Sequence, residues 1–167
     1  KCFELWSGNN RKYDLICSYY GDDDEYLKKY SDNFDIVFRR KGAKFQNFFY
    51  FYRQNNILKS YERIFFLDDD IILKTEEIND MFDFSKAFDL EICQPSFSTK
   101  SKISHWITEQ KETNPIGRYT NFIEMNTPLM TKKAIHNFDF IFDNSLTGYG
   151  TDYLYIWINN NRQIPSI

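Results

Sequence analysis

Residues 61–73 read YERIFFLDDDIIL, an apolar run that stops on three consecutive aspartates and then resumes. A short apolar run bounded in this way predicts a buried strand, Tyr61–Leu67, with Asp68, Asp69 and Asp70 at its carboxyl end. The same form recurs upstream. Tyr13–Tyr20 (YDLICSYY) closes on Gly21 and the acidic stretch Asp22–Glu25, and Phe34–Arg39 (FDIVFR) stops near Gly42. Between these runs and the triplet the period changes. Phe45, Phe48, Phe49 and Tyr52 fall at i, i+3, i+4 and i+7, which predicts one helical face within Ala43–Leu58. Downstream, Thr75 predicts a helix cap, with Glu76 and Glu77 favourable at the positive end of the helix dipole. Leu90–Gln94 (LEICQ) predicts another strand before Pro95. Ile103–Thr108 and Tyr119–Met125 read as strands, Lys132–Phe138 as a short helix, and Asp152–Ile158 as a helix after a Gly-rich turn. Strands alternating with helices predict an α/β fold, a mixed and mostly parallel sheet flanked by helices. In open sheets of that kind ligands bind beyond the carboxyl ends of the strands, where both acidic clusters fall.

The length of 167 residues predicts a single domain spanning 1–167. Its 17 Phe, 12 Tyr and 3 Trp exclude a disordered tail, because rings are what allow a chain to offset its ordering entropy. The formal charge is −3, so no basic field attracts a phosphate backbone and no nucleic-acid partner is expected. No apolar run approaches the roughly 20 residues needed for a membrane span. Cys2, Cys17 and Cys93 are far apart and form no CxxC pair, which excludes a disulfide scaffold or a Cys-rich zinc module. Cys17 and Cys93 sit in apolar stretches and read as small buried hydrophobes. The amino-terminal residues lack the unbroken apolar core of a signal peptide and begin without Met, so a cytoplasmic location and excision from a longer chain are the expectations.

The two acidic clusters differ in context. Asp22–Asp24 precedes Glu25, Lys28 and Lys29 and reads as a solvated helix start. Asp68–Asp70 lies between IFFL and IIL, where carboxylates repel and raise one another's pKa unless a cation neutralises them. Hard oxygen donors suit Mg²⁺ or Mn²⁺, commonly held by one or two carboxylates with phosphate and water completing the shell. In an extended chain Asp68 and Asp70 point the same way and Asp69 points elsewhere.

An apolar strand followed by DxD is the hallmark of GT-A-fold, nucleotide-sugar-dependent glycosyltransferases, and the chain resembles them. It is similar in particular to an uncharacterised glycosyltransferase family of bacteria and plants. The similar pieces are GAKF at Gly42–Phe45, FFLDDDI at Phe65–Ile71, EIND near Ile78, QPSFS at Gln94–Ser98, SHWIT at Ser104–Thr108, RYTNFIEMNTP at Arg118–Pro128 and GYGTDY at Gly148–Tyr153. In order, they cover most of Tyr13–Trp157.

The resemblance implies a GT-A-like, Rossmann-like domain using Mn²⁺ or Mg²⁺, a nucleotide-diphosphate sugar donor and a carbohydrate acceptor in polysaccharide or glycan synthesis. It implies Asp70 as the direct metal ligand, with Asp68 nearer ribose or a metal-bound water. Asp69, Lys44 and Tyr19 are the expected donor contacts, and His105, Trp106, Glu124 and Arg118 the acceptor contacts. Glu124 binds sugar hydroxyls or pairs with Arg118, and both readings stand. Asp152 is implied as the base of an inverting transfer. Its other reading, shared with Thr151, is a cap for Tyr153–Ile158. Many GT-A enzymes add a late His ligand, whereas the last His here is His136 and the sequence ends at Ile167, so a C-terminal segment supplying that ligand is missing or dispensable.

Two other classes compete. A haloacid-dehalogenase-type phosphatase also uses a strand ending in DxD, with the first Asp as nucleophile. It wants Thr or Val where this chain has Ile72, and its DxD strand normally comes first. A non-catalytic carbohydrate- or metal-binding module with a degenerate transferase fold would need only the clustered acids and the rings.

Overall fold

The computed structural model describes residues 2–112, 116–142, 150–158 and 164–166. In chain order the elements are β1 (Ile16–Tyr19), α1 (Asp24–Ser31), β2 (Ile36–Arg39), α2 (Lys44–Gln54), α3 (Asn56–Ser60), β3 (Arg63–Phe65), α4 (Thr75–Ala87), β4 (Ile92–Cys93), β5 (Arg118–Thr120), β6 (Leu129–Thr131), α5 (Lys132–Phe142), α6 (Thr151–Ile158) and β7 (Ile164–Ser166). Short 3₁₀ turns occupy Cys2–Trp6 and Trp106–Thr108.

The chain is mixed α/β, but its pairing departs from a mostly parallel sheet. β1 and β2 are parallel, in register Ile16 to Ile36 through Tyr19 to Arg39. β3 and β4 instead flank β6 and both run antiparallel to it, while β5 pairs antiparallel with β7. Two strands are missing from the sequence reading, β6 and β7; β6 is three residues between Pro128 and a helix, too short to announce itself as an apolar run. Its ladder with β3 continues through Phe66 N–H on Pro128 O (2.9 Å) and Asp68 N–H on Asn126 O (3.1 Å). The acidic triplet is thereby tied to the 125–128 segment.

The main core surrounds β6. Phe45 and Phe49 of α2, Ile92, Ile123, Met130, the α5 residues Ala134, Ile135 and Phe138, and Tyr155 of α6 are all buried there. Phe48 and Tyr52 pack against this cluster, so the expected helical face is the one that is covered. A second cluster of Phe3, Trp6, Leu15 and Ile78 ties the amino-terminal turn to α4.

Several expected elements are corrected by side chains that compete for backbone groups. Ala43–Leu58 is two helices, because Asn55 is extended (φ −120, ψ 114) and its amide side chain donates to Phe51 O at 2.8 Å. Ile103–Thr108 is no strand: Thr108 donates both its hydroxyl (2.7 Å) and its N–H (2.9 Å) to His105 O and closes a 3₁₀ turn. Tyr119–Met125 keeps only its start in β5, since the Thr120 hydroxyl donates to Phe122 O (2.8 Å) and turns the chain. Thr75 is the first residue of α4, not its cap; Glu77 accepts from Lys74 N–H at 2.6 Å instead. The Thr75 hydroxyl donates to Leu5 O (3.0 Å) and accepts from Gly8 N–H (2.9 Å). Asp23 caps α1, accepting from Glu25 and Tyr26 N–H, as the solvated-helix reading of Asp22–Asp24 expects. Cys93 is buried, whereas Cys17 is only half-buried. No helix among the described residues is long and apolar enough to cross a membrane.

Candidate functional site

β1 and β3 are not hydrogen-bonded to each other, and the gap between them is a cleft of about 1560 Å³. That exceeds the roughly 300–1,000 Å³ of small-ligand clefts. Tyr19, Lys44, Asp68, Asp69 and Asp70 all line it, so the structure gathers the expected metal and donor residues into one place.

Their arrangement begins with the β2–α2 turn. Gly42 holds φ +141, and a Cβ there would meet Asn47 Oδ1 at 2.7 Å. Buried Asn47 accepts from Arg40 Nη1 (2.7 Å) and donates to Arg40 O (2.9 Å) and Gly42 O (3.3 Å). This wiring fixes Lys44 as the first residue of α2, an unfavourable place for a cation at the positive end of a helix dipole. The ammonium is compensated by contacts instead. Lys44 Nζ donates to Asp68 Oδ1 and to Met125 O, both at 2.6 Å. Burial lowers the Lys44 pKa, and Asp68, Asp152 and Asp70 pull it the other way.

The triplet itself is not extended. Ile71 N–H on Asp68 O (3.2 Å) closes a turn in which Asp69 and Asp70 are exposed and Asp68 is half-buried, so strand alternation does not govern where the carboxylates point. They separate by another route. Asp70 acts on Lys44, whereas Asp69 acts on Cys17 of β1, whose thiol is pushed up to about 11 by burial and by that charge. Lys44 supplies one cation to the cluster, paired with Asp68. Tyr19 offers the cleft its ring, since its hydroxyl donates to Asp23 O at 3.1 Å.

Asp152 arrives from the far half of the chain. Gly150, with φ +85, precedes α6, and Asp152 follows buried Thr151 in its first turn. Asp152 Oδ1 accepts from Met125 N–H at 2.6 Å, which ties the start of α6 to the 125–128 segment. The backbone of Met125 is therefore a hub, holding Lys44 on its carbonyl and Asp152 on its amide. Burial raises the Asp152 pKa, partly offset by the Met125 amide, His105 and Lys44. Glu124 stands alongside, its N–H bonded to Gln94 Oε1. Its pKa is raised by burial and by Asp152, with His105 opposing. Glu124 Oε2 is buried without a hydrogen-bond partner among the described residues. Half-buried His105 packs on Phe122, ring centres 4.4 Å apart, and Phe122 packs on Tyr153 at 5.5 Å.

The four expected acceptor residues do not form one group. His105 and Glu124 join Asp152, whereas Trp106 and Arg118 line a separate shallow groove. Arg118 makes no pair with Glu124; its guanidinium donates to Ile107 O and to Glu109 O (2.9 Å). Sequence reasoning missed Asn47, Gln94 and the Met125 backbone. Two signals were available: a polar Asn on an aromatic helix face, and a Lys placed against the dipole at a helix start.

No three His, Cys, Asp or Glu side chains among the described residues are grouped so as to enclose a metal ion. The donor set fits an open site of the Mg²⁺ or Mn²⁺ kind, in which one or two carboxylates suffice and phosphate completes the shell. Asp70 makes no hydrogen bond or ion pair with the described residues and is available for it. The chain matches no protein-family model, and no curated protein matches it.

Proposed function

We propose that this chain is a metal-dependent glycosyltransferase of GT-A-like fold that moves a sugar from a nucleotide-sugar donor to a carbohydrate hydroxyl with inversion. One observation carries the reading. The DxD turn after β3 and the acid that opens α6, 84 residues apart between Asp68 and Asp152, meet on the backbone of Met125 through Lys44. A donor-side cation and an acceptor-side acid are what such a transfer needs at one place.

The cleft would take the nucleotide, Asp70 would hold a divalent cation, and Asp68 would be shared between that cation and Lys44. That metal, when bound, supplies Lewis-acid stabilisation of the departing nucleoside diphosphate. Lys44 adds a fixed positive charge on the same side, held in place by Asp68 and Met125 O. On the acceptor side the Met125 amide holds Asp152 through Oδ1, and the carboxylate is the group to accept the proton of the attacking hydroxyl. The acceptor oxygen forms its bond to the anomeric carbon as the bond from that carbon to the phosphate oxygen breaks. A carboxylate with a raised pKa is a better base than an ordinary surface one. Glu124 and His105 flank Asp152 and act on its charge, Glu124 from a carboxylate whose Oε2 is buried.

A second reading has its own support: Lys44 neutralises Asp68 without any metal, as a carbohydrate-binding module would require. A thermal-shift panel of UDP, GDP, CDP and dTDP, with and without Mn²⁺, separates the two. A nucleotide at about 100 times its Kd adds roughly 2.7 kcal/mol. That is roughly 5–11 °C at 2–4 °C per kcal/mol for a chain of this size. Stabilisation by one nucleotide that needs Mn²⁺ and disappears in Asp70→Ala supports the transferase. Silence across the panel from a folded protein refutes it and leaves the binding module.

A further inference from the structure

Trp106 and Tyr119 are 75% and 67% exposed, and they share one groove of about 360 Å³ with Thr120 and Asn121. Single exposed rings are ordinary, but two large rings in one groove leave apolar area uncovered beside polar groups. The support beneath the indole is rigid. Trp106 opens the 3₁₀ turn that Thr108 closes twice on His105 O. Phe97 clamps the far side of that turn, its N–H on Thr108 O and its carbonyl accepting from Gln110 N–H, both at 2.8 Å. Arg118 then binds the carbonyls of Ile107 and Glu109, joining the turn to β5.

The lining also defines the ligand chemistry. Among the described residues it contains no carboxylate, and Arg118, the one cation among them, is committed to backbone carbonyls. What remains is two exposed aromatic side chains beside an exposed carboxamide, a combination that suits a neutral polyhydroxylated chain with apolar C–H faces. The groove adjoins the acid site through its own backbone. His105 precedes Trp106 and Phe122 follows Asn121, and the stack His105–Phe122–Tyr153 ends next to Asp152.

We propose that this groove is a subsite for the further sugar units of the acceptor, which is therefore a neutral oligo- or polysaccharide rather than a free monosaccharide. The word acceptor rests on the transferase reading above; glycan binding in the groove does not. Arg118 is here a positioning residue that holds the Trp106 turn, not a sugar contact.

The test uses neutral gluco-, manno- and galacto-oligosaccharides of one to six units, screened on a glycan array and titrated by calorimetry. The expected result is at least tenfold tighter binding of one hexasaccharide series than of its monosaccharide. Trp106→Ala removes that gain, Trp106→Tyr keeps most of it, and Asp70→Ala leaves it unchanged. Affinity independent of length, no oligosaccharide bound, or a gain that survives Trp106→Ala overturns the proposal. The nucleotide thermal shift is measured on the same proteins. Oligosaccharide binding without any nucleotide response supports the groove and removes the transferase reading. A nucleotide response without oligosaccharide binding removes the groove alone.

Discussion

Replacing Lys44 by Met keeps the aliphatic stem and deletes the ammonium that joins Asp68 to Met125. Two hydrogen bonds of 2.6 Å are lost, both donated by the charged ammonium. Such bonds contribute roughly 1.5–3 kcal/mol. Two effects reduce the loss. The Asp68 carboxylate is 43% exposed and recovers water, and the ammonium no longer bears the burial that lowers its pKa. The net expectation is a loss of about 1–2 kcal/mol, or roughly 2–8 °C in Tm. Manganese sharpens the test. In the wild type the ammonium and a divalent cation compete for Asp68; in Lys44→Met that competitor is gone and Asp68 and Asp70 are free to share the cation. Mn²⁺ alone at ten times its Kd adds about 1.4 kcal/mol. Calorimetric melts of both proteins, with Mn²⁺ or with chelator, should show Mn²⁺ restoring most of the variant's loss and stabilising the wild type less. A variant as stable as wild type and indifferent to Mn²⁺ would refute both the clamp and the cation site.

Asp152 and Glu124 set a pH dependence. Burial raises both above their ordinary 3.8 and 4.5, so in the window above those values the folded chain holds more protons than the unfolded one. Their contribution to stability is complete below the ordinary values and is lost as pH rises through the raised ones. In urea titrations from pH 4 to 8, Asp152→Asn with Glu124→Gln should gain stability relative to wild type as pH rises; a constant difference would show that neither group is perturbed. Thr75→Val removes the hydroxyl that donates to Leu5 O and accepts from Gly8 N–H, at a site 2% exposed. It should cost about 1–3 kcal/mol and increase amide exchange around residues 5–8; an unchanged exchange rate there would contradict the anchoring role. Gly150→Ala finds open space for its Cβ but a φ of +85, so it should cost about 1 kcal/mol through the backbone alone, read by denaturant melts. If Asp152 is aimed by that turn, nucleotide binding survives Gly150→Ala and transfer falls.

The sequence by itself determined what is periodic and local. The apolar runs of β1, β2 and β3, the aromatic face of α2 and the Asp23 cap of α1 all follow from residue spacing and short-range hydrogen bonding. The placement of acids at strand ends was legible for the same reason, whereas the cleft that gathers Tyr19, Lys44 and the triplet came from the packed chain. Only the tertiary structure decided the pairing. β6 is three residues long, and its place between β3 and β4 is set by burial among distant helices, which no local pattern records. That antiparallel strand brings Met125 beside Asp68, and Met125 presents backbone groups whose partners no side-chain motif encodes. The division of the acceptor residues had the same origin. Adjacent residues such as His105 and Trp106 are separated by a turn whose direction Thr108 and Arg118 fix through backbone carbonyls, so neighbours in sequence serve different sites. Spacing determines which face of an element a side chain occupies; only the packed chain determines what that face meets.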